Sequence, residues 1–246
     1  MLITTHLPQY KQAILSLPKD RMLTKADLLV DDFLMDSDGK LRTYYAPHNE
    51  YVNRSAKVII LGITPGWNQM KIAMQEARRC LEAGLPDEEV CQNAKQAASF
   101  VGSMRTNLVA FLDALDLHQH LGVTSCEDLF YERRSLLHTT SLLRYPVFVE
   151  QQNYNGSDPH LVATPFLTNA VMGFVQEELP AWKQTLLIPL GKGVESVLQL
   201  LEGEGKLDAL QCLWGFPHPS GANGHRHKQF AAHQARMKVA IQNYFG

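Results

Sequence analysis

Lys57-Val58-Ile59-Ile60-Leu61-Gly62-Ile63 runs directly into Thr64-Pro65-Gly66, and that junction decides how the rest of the chain is read. A continuous apolar, β-branched run without polar alternation is a strand buried on both faces, here stopped by a tight turn. Working outward, Ser135–Leu143, Thr185–Leu190 and Ala209–Trp214 read as three more strands of the same kind. Between them lie stretches with helical spacing. One covers 104–116, with Leu108, Phe111, Leu112 and Leu115 on one stripe; the others cover 165–179, 192–203 and, after the last strand, 227–244. This alternation implies an α/β fold: a three-layer α/β/α sandwich around a small, mainly parallel four-stranded sheet.

Residues 8–18 and 24–34 read as short helices ahead of an Asp36-Ser37-Asp38-Gly39 turn. A helix over 70–83 carries Ala73, Ala77 and Leu81 and stops at Gly84, and the acidic start Asp87-Glu88-Glu89 opens another. No repeat or Gly/Ser/Pro-rich linker divides the chain. Residues 1–246 therefore read as one domain, with 1–56 a helical and hairpin extension and 70–98 inserted helices. The composition, 45 % hydrophobic and 20 % charged, is that of a globular protein. No apolar run is long enough to span a bilayer, and the opening MLITTHLPQYKQ lacks a signal pattern, so a cytoplasmic chain without a membrane partner is expected. Cys80, Cys91, Cys126 and Cys212 are scattered, which fits neither a zinc ribbon nor a disulfide framework. The net charge of −2 hides an asymmetry. From Ala209 to Gly246 there is no Asp or Glu, while Arg226, Lys228, Arg236 and Lys238 are all present, as a local phosphate-facing surface would require.

In a parallel sheet the ligand sits at the carboxyl ends of the strands. That rule puts Thr64-Pro65-Gly66, the segment after Leu143, Gly191 and His218-Pro219-Ser220 along one rim. The G-x-x-P-G turn is expected to leave main-chain groups at its tip free for a ligand. Gly215-Phe216-Pro217-His218-Pro219-Ser220-Gly221-Ala222-Asn223 holds a histidine between two prolines after the last strand. These stretches, LGITPG and HPSGAN, resemble the two signature motifs of the uracil-DNA glycosylase superfamily. Ser99–Met104 and Leu187–Gly193 are weaker matches in the same order. The resemblance runs from about residue 57 to 240 and leaves out the N-terminal extension and the inserted helices.

The resemblance implies a monofunctional DNA glycosylase. It would flip a deaminated or modified base, a pyrimidine above all, from DNA and hydrolyse its N-glycosidic bond without cofactor or metal. DNA is the implied partner, with no obligate protein partner evident. On the same resemblance, His218 donates to the base carbonyl as negative charge builds there, and Phe100 stacks on the base. Gly62, Ile63, Pro65, Gly66, Trp67 and Ser141 surround the base. Ser220, Gly221, Ala222 and Asn223 push into the duplex, and Arg226 and Lys228 meet phosphates.

The departures lie in the chemistry. Thr64 stands where the family has its water-positioning Asp or Asn, Ile63 where some branches have Glu, and Ser141 where the uracil-reading Asn falls. Thr is no carboxylate base, and Ser lacks the paired donor and acceptor of an amide. A substrate other than plain uracil, or another way of orienting water, follows; Thr64 would hold that water through its hydroxyl. Two alternatives stay open: a catalytically silent base-binding module of the same fold, and a hydrolase of free nucleosides. His225 and His227 have metal-like spacing with His218, but no Asp or Glu nearby completes a hydrolytic site. Gly191-Lys192-Gly193 lacks the Walker spacing and reads as a helix-start turn. Asp158, Glu150 and the Tyr44–Asn49 stretch read as turn or surface residues.

Overall fold

The computed structural model describes residues 1–246, a mixed α/β fold containing a parallel three-stranded sheet. Two compact units interleave along the sequence. One comprises Met1–Val52, Thr64–Ser99 and Ser141–Leu179, the other Asn53–Ile63, Phe100–Thr140 and Pro180–Gly246.

The parallel sheet, its strands ordered Leu137–Ser141, Val58–Gly62 and Leu186–Pro189, lies in the second unit but for Ser141. Val58 pairs with Leu186 and Ile60 with Ile188. Every residue from Val58 to Leu61 is fully buried, which is why this stretch has no polar alternation. The expected fourth strand is reduced to one parallel bridge between Leu187 and Cys212. Asp208 explains the shortfall, because its Oδ1 accepts from the Leu210 N–H at 2.9 Å and winds Ala209–Gln211 into a 3₁₀ turn. Helices Ser103–Ala114, Lys192–Gly203 and Arg226–Phe245 lie within a residue or two of their expected bounds. Val58, Ile60, Leu108, Phe111, Ile188, Phe216, Phe230 and Ile241 make the core of this unit.

The first unit contains an antiparallel sheet ordered Leu34–Asp38, Leu41–Tyr44, Val147–Val149 and Gln152–Asn153, of which the sequence announces only the hairpin in the N-terminal extension. The expected turn at Asp36–Gly39 is the end of its first hairpin. The expected helix over 24–34 is only Lys25–Leu28, followed by a 3₁₀ turn at Asp31–Phe33. Helices Trp67–Glu82 and Asp87–Ala98 form a hairpin, and the first ends at Gly84, whose φ of +71° suits glycine. Their buried stripes, Met70, Ala73, Met74 and Ala77 with Val90, Cys91 and Ala94, join Leu7, Ile14, Tyr45 and Phe148 in a separate core. The helix expected over 165–179 is α-helical to Gly173 and widens into a π turn at Phe174–Glu178. All four cysteines are free and buried. No helix is long and apolar enough to cross a membrane.

Candidate functional site

In the second unit the strands Val58–Gly62 and Leu186–Pro189 lead into Ile63 and, through Leu190, into Gly191, and His218 lies against the latter. Gly191 has φ +83° and ψ 172°, a region essentially closed to other residues. A Cβ placed there would lie 3.1 Å from the His218 Cβ, so the missing side chain is what admits the histidine. A Cβ on Gly193 would in turn lie 3.1 Å from Ile63 Cδ1. His218 and Ile63 therefore flank the Gly191–Gly193 turn at the carboxyl end of the sheet.

The histidine's own loop fixes its chemistry. The Ser220 N–H donates to His218 Nδ1 at 3.3 Å. Burial pushes the imidazole below its ordinary pKa. A neutral ring whose Nδ1 accepts must carry its proton on Nε2, so the remaining nitrogen is a donor. Two side-chain amides hold the loop from either side: Asn107 Nδ2 donates to Pro219 O at 2.9 Å, and Asn223 Nδ2 to His218 O at 3.1 Å. A histidine between prolines, braced in this way, is a preorganised donor.

The remaining predicted residues of this unit divide. Gly62 and Ile63 are partly exposed at the strand end. Phe100 is 6 % exposed and belongs to the core, yet its φ is +40°, a left-handed conformation unusual for a bulky residue. Gly221 and Ala222 are exposed at the tip of the loop, while Ser220 Oγ and Asn223 serve its internal bonds. Arg226 folds back onto the carbonyl oxygen of Asn223 at 3.2 Å, so it shapes the loop, whereas Lys228 is exposed. Of the other cations of the acid-free segment, Lys238 pairs with Asp116 at 2.6 Å and Arg236 donates to Trp214 O at 3.3 Å. No cluster of His, Cys, Asp and Glu is arranged to hold a metal ion; His227 packs edge-on against Phe111.

The predicted residues of the first unit are more committed than their sequence implies. Thr64 Oγ1 donates to Tyr145 O and accepts from the Val147 N–H, each at 3.0 Å. Its only proton is thereby spent, and one lone pair remains. The N–H groups expected to be free at the G-x-x-P-G tip are also occupied. Gly66 N–H donates to Gln69 Oε1 at 3.3 Å and Trp67 N–H to Asn153 Oδ1 at 2.9 Å, satisfying the start of the Trp67–Glu82 helix. Pro65 and Ser141 are buried, and Trp67 packs against the core of this unit. Glu150 is exposed and pairs with Lys40 at 2.7 Å, and Asp158 is exposed too, which agrees with a surface reading of both.

The Tyr44–Asn49 stretch corrects that reading. Tyr45, His48 and Asn49, with the following Glu50, are all buried. Glu50 accepts from the N–H groups of His6 and Leu7 at 3.1 and 3.3 Å and from Tyr145 OH at 3.3 Å, closing the start of the Leu7–Leu15 helix. Burial nevertheless lifts its carboxyl to about 7. With these donors on it, Glu50 is a structural cap and not a spare base. Lys95 Nζ donates to Asn49 Oδ1, and Asn49 Nδ2 to Arg144 O, both at 2.9 Å. Arg144 also pairs with Glu177 at 2.7 Å and with the buried Glu178 at 2.9 Å. Only the long-range partners reveal this network; residue types alone read as a turn.

The chain is similar to the uncharacterized protein YoxB of Bacillus subtilis strain 168, with 44 % identity over 239 residues, 97 % of this chain and 93 % of that one. No protein-family model matches the chain, and no solved structure matches it.

Proposed function

The chain belongs to one family with YoxB, and within it we propose a DNA glycosylase that hydrolyses the N-glycosidic bond of a deaminated or modified base, a pyrimidine by preference. The three-layer α/β/α arrangement read from the sequence is part of this proposal. The observation that carries it is the His218 loop: a neutral imidazole with Nδ1 occupied, its Nε2–H held at the carboxyl end of a parallel sheet.

The chemistry follows from that donor. The bond between C1′ and the base nitrogen breaks with its electron pair leaving on the base, and the charge spreads to a ring carbonyl oxygen. The Nε2–H of His218 donates to that oxygen without giving up its proton. Water adds to the sugar carbon and releases a proton to solvent; solvent protonates the departed base, and an abasic site remains. A preorganised donor of this kind is worth about 10²–10³ in rate. With the donor set on the departing base, the reaction leans on leaving-group stabilisation more than on a base. The exposed tip Gly221-Ala222 suits the space a flipped base vacates, with Lys228 toward phosphate.

The committed groups of the first motif favour a second reading, a module that binds a base without turning it over. An abasic-site assay separates the two. Uracil, hypoxanthine, hydroxymethylated and glucosylated pyrimidines would be presented in single- and double-stranded oligonucleotides, with His218→Ala alongside. Cleavage lost in the variant supports the glycosylase, and binding without cleavage of any substrate supports the silent module.

A further inference from the structure

Away from the His218 loop, the second unit gathers arginines around an exposed tyrosine. Tyr131 is 47 % exposed. The Arg105 guanidinium lies 5.0 Å from the centre of the Phe130 ring and 5.6 Å from that of Tyr131, and the Arg134 guanidinium lies 5.9 Å from the Tyr131 ring. Hydrogen bonds fix the arrangement: Arg105 donates to Tyr131 OH and Arg134 Nε to Tyr131 O, each at 3.2 Å. Arg133 is exposed beside them. Asn53 Nδ2 donates to the carbonyl oxygens of Arg134, Ser135 and Leu137, which brings the turn carrying exposed Arg54 to the same edge. Four arginines thus lie on or beside this turn with Glu132 among them, while Glu127 and Asp128 stand just before it and the Asp128 carboxylate accepts from the Thr124 and Ser125 N–H groups.

Holding like charges together costs free energy unless an anion shares the site. Arg54, Arg133 and Arg134 take part in none of the protein's ion pairs. Guanidiniums are planar and matched to phosphate, and an exposed aromatic ring stacks on an unpaired base. The cluster is also tied to a candidate base-binding residue, since Arg105 Nε donates to the carbonyl oxygen of Phe100, and Val101 beyond it is 49 % exposed.

We infer that Tyr131, with Arg133, Arg134 and Arg105, forms a platform for single-stranded DNA, one base stacking on the tyrosine and the flanking phosphates meeting the arginines. The inference rests on the reading of the chain as a DNA-acting protein. It adds a second contact surface to the Ser220–Lys228 loop and a preference for unpaired strands.

Fluorescence polarisation with a short labelled oligothymidylate tests it, because that probe contains no base to excise. Tyr131→Ala is expected to weaken binding roughly tenfold. Tyr131→Phe keeps the ring but loses the hydrogen bond from Arg105, so it should bind more weakly than the parent and more tightly than Tyr131→Ala, while Arg133→Glu, on an exposed side chain, should weaken binding and flatten its salt dependence. Thermal unfolding of each variant separates lost contact from lost fold. Unchanged affinity in Tyr131→Ala and Arg133→Glu, or no oligothymidylate binding by the parent protein, overturns the platform. Base excision, run on the same proteins, keeps the two proposals apart. A parent that excises a base and a Tyr131→Ala that binds and excises equally well sink the platform alone. Tyr131-dependent binding with no excision of any substrate sinks the glycosylase alone.

Discussion

The Ser220 N–H donates to Nδ1 of His218 across 3.3 Å, and this contact decides which ring nitrogen carries the proton. Burial lowers the imidazole pKa, so the ring stays neutral where a free histidine begins to charge, near pH 6.5. The excision rate is therefore expected to begin falling only at a lower pH than the titration of a free histidine would give. His218→Leu should lower single-turnover excision by about 10²–10³, and His218→Gln, which keeps an N–H, by less. The folded-state value is the depressed one, so the stability contribution is present above the unfolded pKa and lost as pH falls through the lowered one. A parent rate that falls on a titration near 6.5 would contradict a donor held neutral.

Gly191 gives a second test of the same loop. Its φ of +83° with ψ 172° is open to glycine alone, and an alanine Cβ would meet His218 Cβ at 3.1 Å. Gly191→Ala should cost about 1–3 kcal/mol and reduce excision through displacement of the histidine. Gly193→Ala is the control: its Cβ would also meet a neighbour at 3.1 Å, but that neighbour is the flexible end of Ile63. Urea titration and single-turnover rates of the pair check this, and equal behaviour of the two variants would refute it.

What the sequence made legible follows from range. Val58–Gly62, Leu186–Pro189 and Lys192–Gly203 are patterned locally, by an unbroken apolar run or a helical stripe, and were read nearly to the residue. The strand expected at Ala209–Trp214 failed because one capping side chain, Asp208, outweighs the apolar pattern after it. Of the antiparallel sheet only the hairpin around Asp36–Gly39 is legible, because its other two strands, Val147–Val149 and Gln152–Asn153, come from about a hundred residues further on. The histidine loop was legible because Pro-His-Pro constrains its own backbone. The commitments of Thr64 were not, since Tyr145 and Val147 are far along the chain.

Thr64 is a prediction in its own right. Its hydroxyl gives to Tyr145 O and takes from Val147 N–H, so Thr64→Val strands both main-chain groups at a cost of about 1–3 kcal/mol. Thr64→Ser keeps both bonds and should lose little. Thr64→Asp, which places a carboxylate where the resembling family has one, accepts from Val147 but cannot donate to Tyr145. It should destabilise the fold as well. Chemical denaturation of the three variants decides, and a Thr64→Val as stable as the parent would show the hydroxyl to be idle.

His48 is buried with neither ring nitrogen hydrogen-bonded. Burial first, and the Lys95 charge second, push its pKa down to about 3. The unfolded chain therefore takes up the proton near pH 6.5 while the folded chain refuses it, so stability is full above 6.5 and falls steadily as pH drops toward 3. Between pH 8 and pH 5 that loss is about 2 kcal/mol. Glu50 pulls the other way. Its carboxyl, lifted to about 7 by burial, contributes most at low pH and loses that contribution as pH rises through 7. Comparing His48→Leu with the parent at each pH cancels Glu50 and isolates the histidine. The variant is expected to gain about 2 kcal/mol more, relative to the parent, at pH 5 than at pH 8. A gain independent of pH would mean that the imidazole finds a partner for its proton inside the fold.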